Sequence, residues 1–355
     1  MDPPRPCLFI LVEMKGNKAK RNRFCALKLD MRKAYDRLEW NYLEKIMIKL
    51  GFHRKWVEMI MRLVKTVSFS VLFNGESSEK FVPTRGIRQG DPISPYLFLL
   101  AAEGFSSLLK DCCSSCVLQG LRVATSAPAV SHLLFADDNL LLFKADSESA
   151  NSIVEVLATY CNASGQRINF DKCSVFFSKG CPEDTRQEIK NILNVQVETL
   201  SEKYLGLPTD VGRDRGGKFS YIHDRIWKKV QGWFEKTMSS AAKDVLIKSV
   251  VQAIPTFSMS CFRLPKGLCE QINATVRKFW WGCKAGERKT CWVSWSEMTK
   301  PRYMGGLGFR DVELFNLALL ARQAWRILQS PESLSSRILK ARYFPNKDFL
   351  SAELG

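Results

Sequence analysis

A mixed α+β unit followed by a basic, mostly helical one is the fold class this sequence predicts, and three observations predict it. Strand-length apolar runs alternate with helical patterns as far as Pro208; beyond it the patterns are almost all helical; and the charge balance shifts at the same point. Residues 1–208 carry 28 Lys and Arg against 23 Asp and Glu, and residues 209–355 carry 25 against 13, so the surplus rises from +5 to +12 within a total of +17. At 355 residues, 46% hydrophobic and 25% charged, the chain has the length for two domains and the composition of a globular protein. We divide it into a poorly ordered basic lead-in over 1–23, an α+β domain over 24–208 and a helical region over 209–355.

The elements follow in order. Phe24-Cys-Ala-Leu-Lys-Leu-Asp30 reads as a buried strand that ends on an acid. Residues 40–50 and 53–66 have helical spacing and are joined at Gly51. Residues 68–74 alternate like a strand, turn at Asn74-Gly75 and return through 80–82, a hairpin signal. The segment 85–95 is rich in Gly and Pro, and 93–109 is helical. Two apolar runs, 131–135 and 140–144, flank Asp137-Asp138 and predict a second hairpin with acids at its turn. A helix from Ser147 to about Cys161 stops at Gly165-Gln166, and 173–178 reads as a strand. Beyond Pro208, helices are predicted over 218–236, 241–253, 266–281 and 312–329, separated by Pro255, Pro265 and Gly305-Gly306-Leu307-Gly308.

The sequence fits neither a membrane-spanning nor a secreted protein. The longest apolar stretches fall well short of the ~20 residues that cross a bilayer. The start of the chain, with Asp2 and three prolines, lacks the pattern of a secretory signal. We therefore expect a nuclear or cytoplasmic protein without a membrane partner, its cysteines free thiols or metal ligands. Cys113-x-x-Cys116 lacks a second pair or a nearby His to complete a zinc set, and His53, His132 and His223 are scattered. Seven of the nine tryptophans lie in the basic second part, and basic residues interleaved with aromatics suit a polyanion with stackable bases. Taken singly, those tryptophans read as core.

The chemistry rests on acids at strand ends. A carboxylate beside an apolar run costs desolvation, and a bound Mg²⁺, which prefers carboxylate oxygen and shares itself with phosphates, is one reason to keep it there. An isolated Asp-Asp turn is ordinary turn chemistry; the accompanying motifs alter that reading. Leu27-Lys-Leu-Asp30-Met-Arg-Lys-Ala-Tyr35-Asp36 resembles the first catalytic motif of reverse transcriptases. Arg85-Gly-Ile-Arg-Gln89-Gly90-Asp-Pro-Ile-Ser-Pro95 resembles the second, and Phe135-Ala-Asp137-Asp138 the third. Gly165-Gln166-Arg-Ile168-Asn169-Phe-Asp-Lys172 is similar to the fourth, and Lys203-Tyr-Leu-Gly206-Leu-Pro208 to the fifth. Their order and approximate spacing match that family, and the details resemble its LINE-type, non-LTR retrotransposon branch, plant elements above all. Downstream segments Ile254-Pro-Thr-Phe-Ser-Met-Ser-Cys-Phe262 and Lys278-Phe-Trp-Trp-Gly282 also look like that branch.

The resemblance implies a right-hand polymerase: an α+β palm, an antiparallel sheet packed on helices, with partial fingers, then an α-helical thumb or connection. It implies that Asp30 and Asp137 hold two Mg²⁺ ions (Mn²⁺ being the other candidate), with Asp138 supporting them and the Met31 carbonyl completing one shell. Asp36 reads as a helix-start cap. Tyr35 matches the aromatic that collides with a 2′-hydroxyl and selects deoxynucleotides. Gln89 and Gly90 match residues lying against template and nucleotide, Lys172 the lysine that protonates pyrophosphate, and Tyr204, Leu205 and Gly206 the hairpin that grips the primer. The implied partners are an RNA template, a DNA primer and deoxynucleoside triphosphates. An RNA-copying RNA polymerase and a group II intron-type maturase share the palm. An N-terminally truncated, catalytically inert remnant that still binds nucleic acid is a further alternative, since only 29 residues precede Asp30.

Overall fold

The computed structural model describes residues 10, 11, 14, 23–136, 138–199, 203–209, 215–234, 238–282 and 290–352. Most of the expected lead-in, and Asp137, lie outside them. The chain divides into two compact units, one over Cys7–Ser201 and one from Glu202 to the C-terminus.

The first unit is built on a four-stranded antiparallel sheet in the order β4-β5-β1-β6. Its central strand, β1 (Phe24–Asp30), lies between β5 and β6 and is buried over most of its length. Short helix α1 (Ala34–Arg37) follows, then α2 (Trp40–Lys49) and α3 (Arg54–Lys65). The first predicted hairpin is shorter than expected: β2 (Leu72–Phe73) pairs with β3 (Glu76–Ser77), and the expected return over 80–82 contributes only an isolated bridge from Phe81 to Phe69. It turns on Asn74 and Gly75, both at positive φ. That is the turn whose twist matches the strands it joins, and Asn-Gly is its preferred pair.

Helix α4 (Ser94–Ser114) runs five residues beyond its predicted end. The second predicted hairpin forms as β4 (His132–Phe135) and β5 (Asp138–Lys144). Helix α5 (Ser147–Ser164) starts where the Asp146 side chain accepts the Ser149 N–H at 2.9 Å, and stops at Gly165, whose φ of +75° suits glycine. Strand β6 (Ser174–Phe177) joins the other edge of β1, and α6 (Glu183–Leu193) packs on α5. Cys25, Leu27 and Leu29 of β1, Leu141 and Phe143 of β5, and Val175 and Phe177 of β6 turn one sheet face into a core shared with α2 to α6. The period-2 alternation that sends these inward sends Lys28, Asp30 and Asp138 to the other face.

The second unit opens with the hairpin β7 (Lys203–Tyr204) and β8 (Leu207–Pro208), turning on Leu205 and Gly206. Helices α7 (Arg215–Lys218), α8 (Ser220–Phe234), α9 (Ser240–Leu246), α10 (Thr256–Cys261), α11 (Lys266–Trp281), α12 (Trp295–Thr299), α13 (Val312–Gln329) and α14 (Leu334–Tyr343) follow. The helix predicted over 241–253 is two pieces, since α9 passes at Ile247–Val251 into a wider π-helical turn. The core includes Ile222 and Ile226 of α8, Ile272 and Val276 of α11, and Phe309. Trp233, Trp280, Trp281 and Trp295 pack on it, whereas Trp292 and Trp325 are exposed. Four of the seven tryptophans of this part are therefore partly buried against the core.

Candidate active site

Strands β1 and β5 pair so that Asp30 lies directly opposite Asp138. Cross-strand partners share a sheet face with their β-carbons about 5 Å apart, and like charges so placed repel each other. Both side chains are half-buried, which weakens the screening of that repulsion. Lys28, two residues before Asp30 on the same face, brings its Nζ to 3.5 Å from Asp138 Oδ1. The Asn169 amide donates to Asp30 Oδ1 at 3.2 Å. Asp137 lies outside the described residues, between Ala136, at φ +52°, and Asp138.

The segment after β1 is tied to two distant loops. Arg32 N–H donates to the Arg167 carbonyl and Asn169 N–H to the Asp30 carbonyl, making an antiparallel bridge between Met31 and Ile168. The bridge's hydrogen bonds bypass the Met31 carbonyl. Farther along, the buried Gln166 amide donates to the Ala34 carbonyl at 2.8 Å, and Arg37 Nε to that of Gly165 at 3.2 Å. A β-carbon on Gly165 would lie 2.6 Å from the Arg37 carbonyl oxygen, so this crossing needs glycine.

The Gly- and Pro-rich loop docks on α1. Gly86 N–H donates to the Leu38 carbonyl, Ile87 N–H to that of Tyr35, and Trp40 Nε1 to that of Gly86. A β-carbon on Gly86 would sit 2.7 Å from the Asp36 carbonyl oxygen. Gly90 also has positive φ but open space around it, so its requirement is dihedral rather than steric. Gln89 is exposed beside it. The Tyr35 ring stacks on Phe98 with centroids 5.0 Å apart and planes 7° from parallel, half-buried against the core. Asp36 is not a cap: Lys33 holds that position of α1, and Asp36 is exposed within the helix.

Lys172 ends a single 3₁₀ turn, Phe170–Lys172, and is exposed. Tyr204, Leu205 and Gly206 form the turn of the β7–β8 hairpin in the second unit, with Tyr204 buried. Lys28, Gly86 and Asn169 are the residues that sequence reasoning did not single out. Lys28 was recoverable by counting two residues back from Asp30 along a strand.

His132 opens β4 with Ser106 Oγ at 3.0 Å from Nε2 and Ser131 Oγ at 2.9 Å from Nδ1. Burial, with a smaller contribution from Lys110, pushes its pKa down to about 4, partly opposed by Glu103. Among the described residues no group of three or more His, Cys, Asp or Glu is arranged to hold a metal ion; Asp137 is outside them. No described helix is long and apolar enough to cross a membrane.

A central antiparallel sheet with an acid at the end of β1 and another opening β5, covered by helices on one face, defines a polymerase palm. The sequence profile described as "Reverse transcriptase (RNA-dependent DNA polymerase)" matches residues 2–209, more than half of the chain, and the chain belongs to that family. An uncharacterized mitochondrial protein of Arabidopsis thaliana is 44% identical over 104 residues, covering 29% of this chain and 68% of that protein. The Pol polyprotein of the type-2 retrotransposable element R2DM of Drosophila melanogaster is 31% identical over 173 residues, 49% of this chain and 15% of the polyprotein. An uncharacterized protein of transposon TX1 of Xenopus laevis is 26% identical over 287 residues, 79% of this chain and 21% of that protein. Two of these three relatives are named as proteins of transposable elements, and this chain spans about a fifth or less of the length of each of those two.

Proposed function

We propose that this chain copies RNA into DNA, adding deoxynucleotides to a primer 3′-hydroxyl. The observation that carries the reading is the facing pair Asp30 and Asp138 at the ends of two central strands, Asp138 being next in sequence to Asp137. Two half-buried carboxylates opposed in one register are a poor choice for stability and a good one for cation binding. The donor set fits hard divalent ions, being oxygen throughout: Asp30, Asp137, Asp138 and the carbonyl of Met31. Such ions, when bound, supply the positive charge that makes a primer 3′-hydroxyl easier to deprotonate and stabilises departing pyrophosphate. Mg²⁺ is the ion we assign, with Mn²⁺ able to replace it.

The remaining roles follow from side-chain chemistry. In the reaction a bond forms between the primer 3′-oxygen and the α-phosphorus, and the bond from that phosphorus to pyrophosphate breaks. Tyr35, braced on Phe98, presents a rigid ring that would exclude a 2′-hydroxyl. Gln89 and Gly90 would lie along template and nucleotide, with no side chain at Gly90 to obstruct them. Lys172, exposed, would give its proton to pyrophosphate. The tight turn at Tyr204, Leu205 and Gly206 would hold the primer end. Basic residues of 209–355 would bind backbone phosphates, without sequence readout and with an affinity that falls as salt rises.

Primer extension on poly(rA)–oligo(dT) with Mg²⁺ tests the reading. Extension by the wild-type chain, abolished by Asp137→Asn, is the expected result. Salt-sensitive binding of that duplex without any extension would overturn it and leave a nucleic-acid-binding protein.

A further inference from the structure

We propose that Asn169 is the positioning residue of Asp30, holding its carboxylate in the orientation that receives a cation. The inference rests on the reading of Asp30 as a cation ligand and extends it to a residue whose sequence motif suggested only a lysine.

Asn169 grips Asp30 twice. Its backbone N–H donates to the Asp30 carbonyl at 2.9 Å, and its side-chain amide donates to Oδ1 of the same residue at 3.2 Å. The first bond fixes where the end of β1 lies, and the second fixes how the carboxylate is turned. An amide suits this role because it donates to the carboxylate without adding a charge that would repel a cation. Engaging Oδ1 leaves Oδ2 for a metal ion, and a ligand carboxylate oriented by an outer hydrogen bond is a recurrent feature of metal sites.

Asn169 is itself held in place. The Lys172 and Cys173 N–H groups both donate to its carbonyl, at 3.0 and 3.2 Å. On its other side the strap 164–168 is bonded to 32–39 through Arg32, Ala34, Arg37 and Glu39. The Gly165 crossing, closed to any side chain, sets the strap's path. A loop so extensively tied to the first motif acts as a brace for it, and Asn169 is the point where the brace meets the carboxylate.

The test measures Mn²⁺ binding to the full chain by electron paramagnetic resonance, comparing wild type with Asn169→Ala, Asn169→Leu and Asp30→Asn. Thermal melting accompanies each variant, and Leu keeps the side-chain volume should Ala unfold the loop. The expected result is that a folded Asn169 variant binds Mn²⁺ about tenfold or more weakly. The Mg²⁺ concentration for half-maximal extension should rise by a similar factor while the KM for primer–template stays constant, a split that loss of fold alone would not give. If Asp30→Asn abolishes binding and a folded Asn169 variant binds as wild type does, the positioning role is overturned. If Asp30→Asn itself binds as wild type does, the reading of Asp30 fails first.

Discussion

Asp30 and Asp138 stand opposite each other as paired residues of two central antiparallel strands, each with a separate polar partner, Asn169 for the first and Lys28 for the second. The arrangement separates the two acids chemically. Asp30 accepts from a neutral amide, whereas Asp138 faces an ammonium. A facing pair of like charges costs about 0.2–1 kcal/mol relative to neutral residues. A bound cation would reverse the sign of that term.

Asp30→Asn should therefore leave metal-free stability within about 1 kcal/mol of wild type, because asparagine can still accept from Asn169. The difference should appear on adding metal. Wild type at a hundredfold excess of Mn²⁺ over its Kd should gain about 2.7 kcal/mol, and the variant little or none. Urea melts with and without Mn²⁺ check this, and an equal gain in both proteins would refute it.

Tyr35→Val should admit ribonucleotides while lowering stability. Losing the stack on Phe98 removes about 0.5–1.5 kcal/mol beyond the loss of buried area. The ratio of ribo- to deoxynucleotide incorporation should rise at least tenfold, the change expected when removing this clash relieves more than about 1.4 kcal/mol of discrimination. An unchanged ratio in a folded variant would confine Tyr35 to the core.

The two loop glycines should separate cleanly. Gly90→Ala meets only the cost of positive φ, about 1–2 kcal/mol, because nothing crowds its β-carbon. Gly86→Ala adds a 2.7 Å clash with the Asp36 carbonyl oxygen, so it should cost at least about 1 kcal/mol more and loosen the loop from α1. Equal costs by denaturant titration would contradict the docking of this loop on α1.

His132 predicts an acid-side loss of stability. Its folded pKa of about 4 lies below the ordinary value of 6.5, so between these values the unfolded chain takes up a proton that the folded one refuses. Stability should fall as pH drops through that window, by up to about 3 kcal/mol, and His132→Gln should flatten this arm of the profile. An unaltered slope would show that His132 is hydrated when folded.

Elements with strong punctuation were legible in the sequence. Strand β1 spans the residues expected of it, and helices α11 and α13 run from Lys266 to Trp281 and from Val312 to Gln329 as their patterns predict. Pro265 precedes α11 and Gly282, at φ +67°, ends it, while the Asp311 side chain accepts the N–H groups of Glu313 and Leu314 to start α13. Helix α6 went unread because its buried residues are few: Ile189, Leu193 and the hydrocarbon stem of Lys190 in an otherwise polar stretch. The π-helical turn at Ile247 was hidden because an apolar run looks alike in either winding. At the site, Asp30 and Asp138 could be read as acids at strand ends, a local property. The hold of Asn169 on Asp30 joins residues 139 positions apart, and the docking of Gly86 on Asp36 depends on where a loop folds back. Local spacing carries no trace of such contacts.

The most direct measurement of the central claim is anomalous scattering from crystals of the full chain soaked in Mn²⁺. The account predicts a peak about 2.0–2.4 Å from an Asp30 carboxylate oxygen, with the Asp137 or Asp138 carboxylate as a further ligand. A second peak ~3.5–4 Å away is expected once nucleotide is added. A well-ordered Mn²⁺-soaked crystal with no peak there, or with its peaks only elsewhere on the surface, would contradict it.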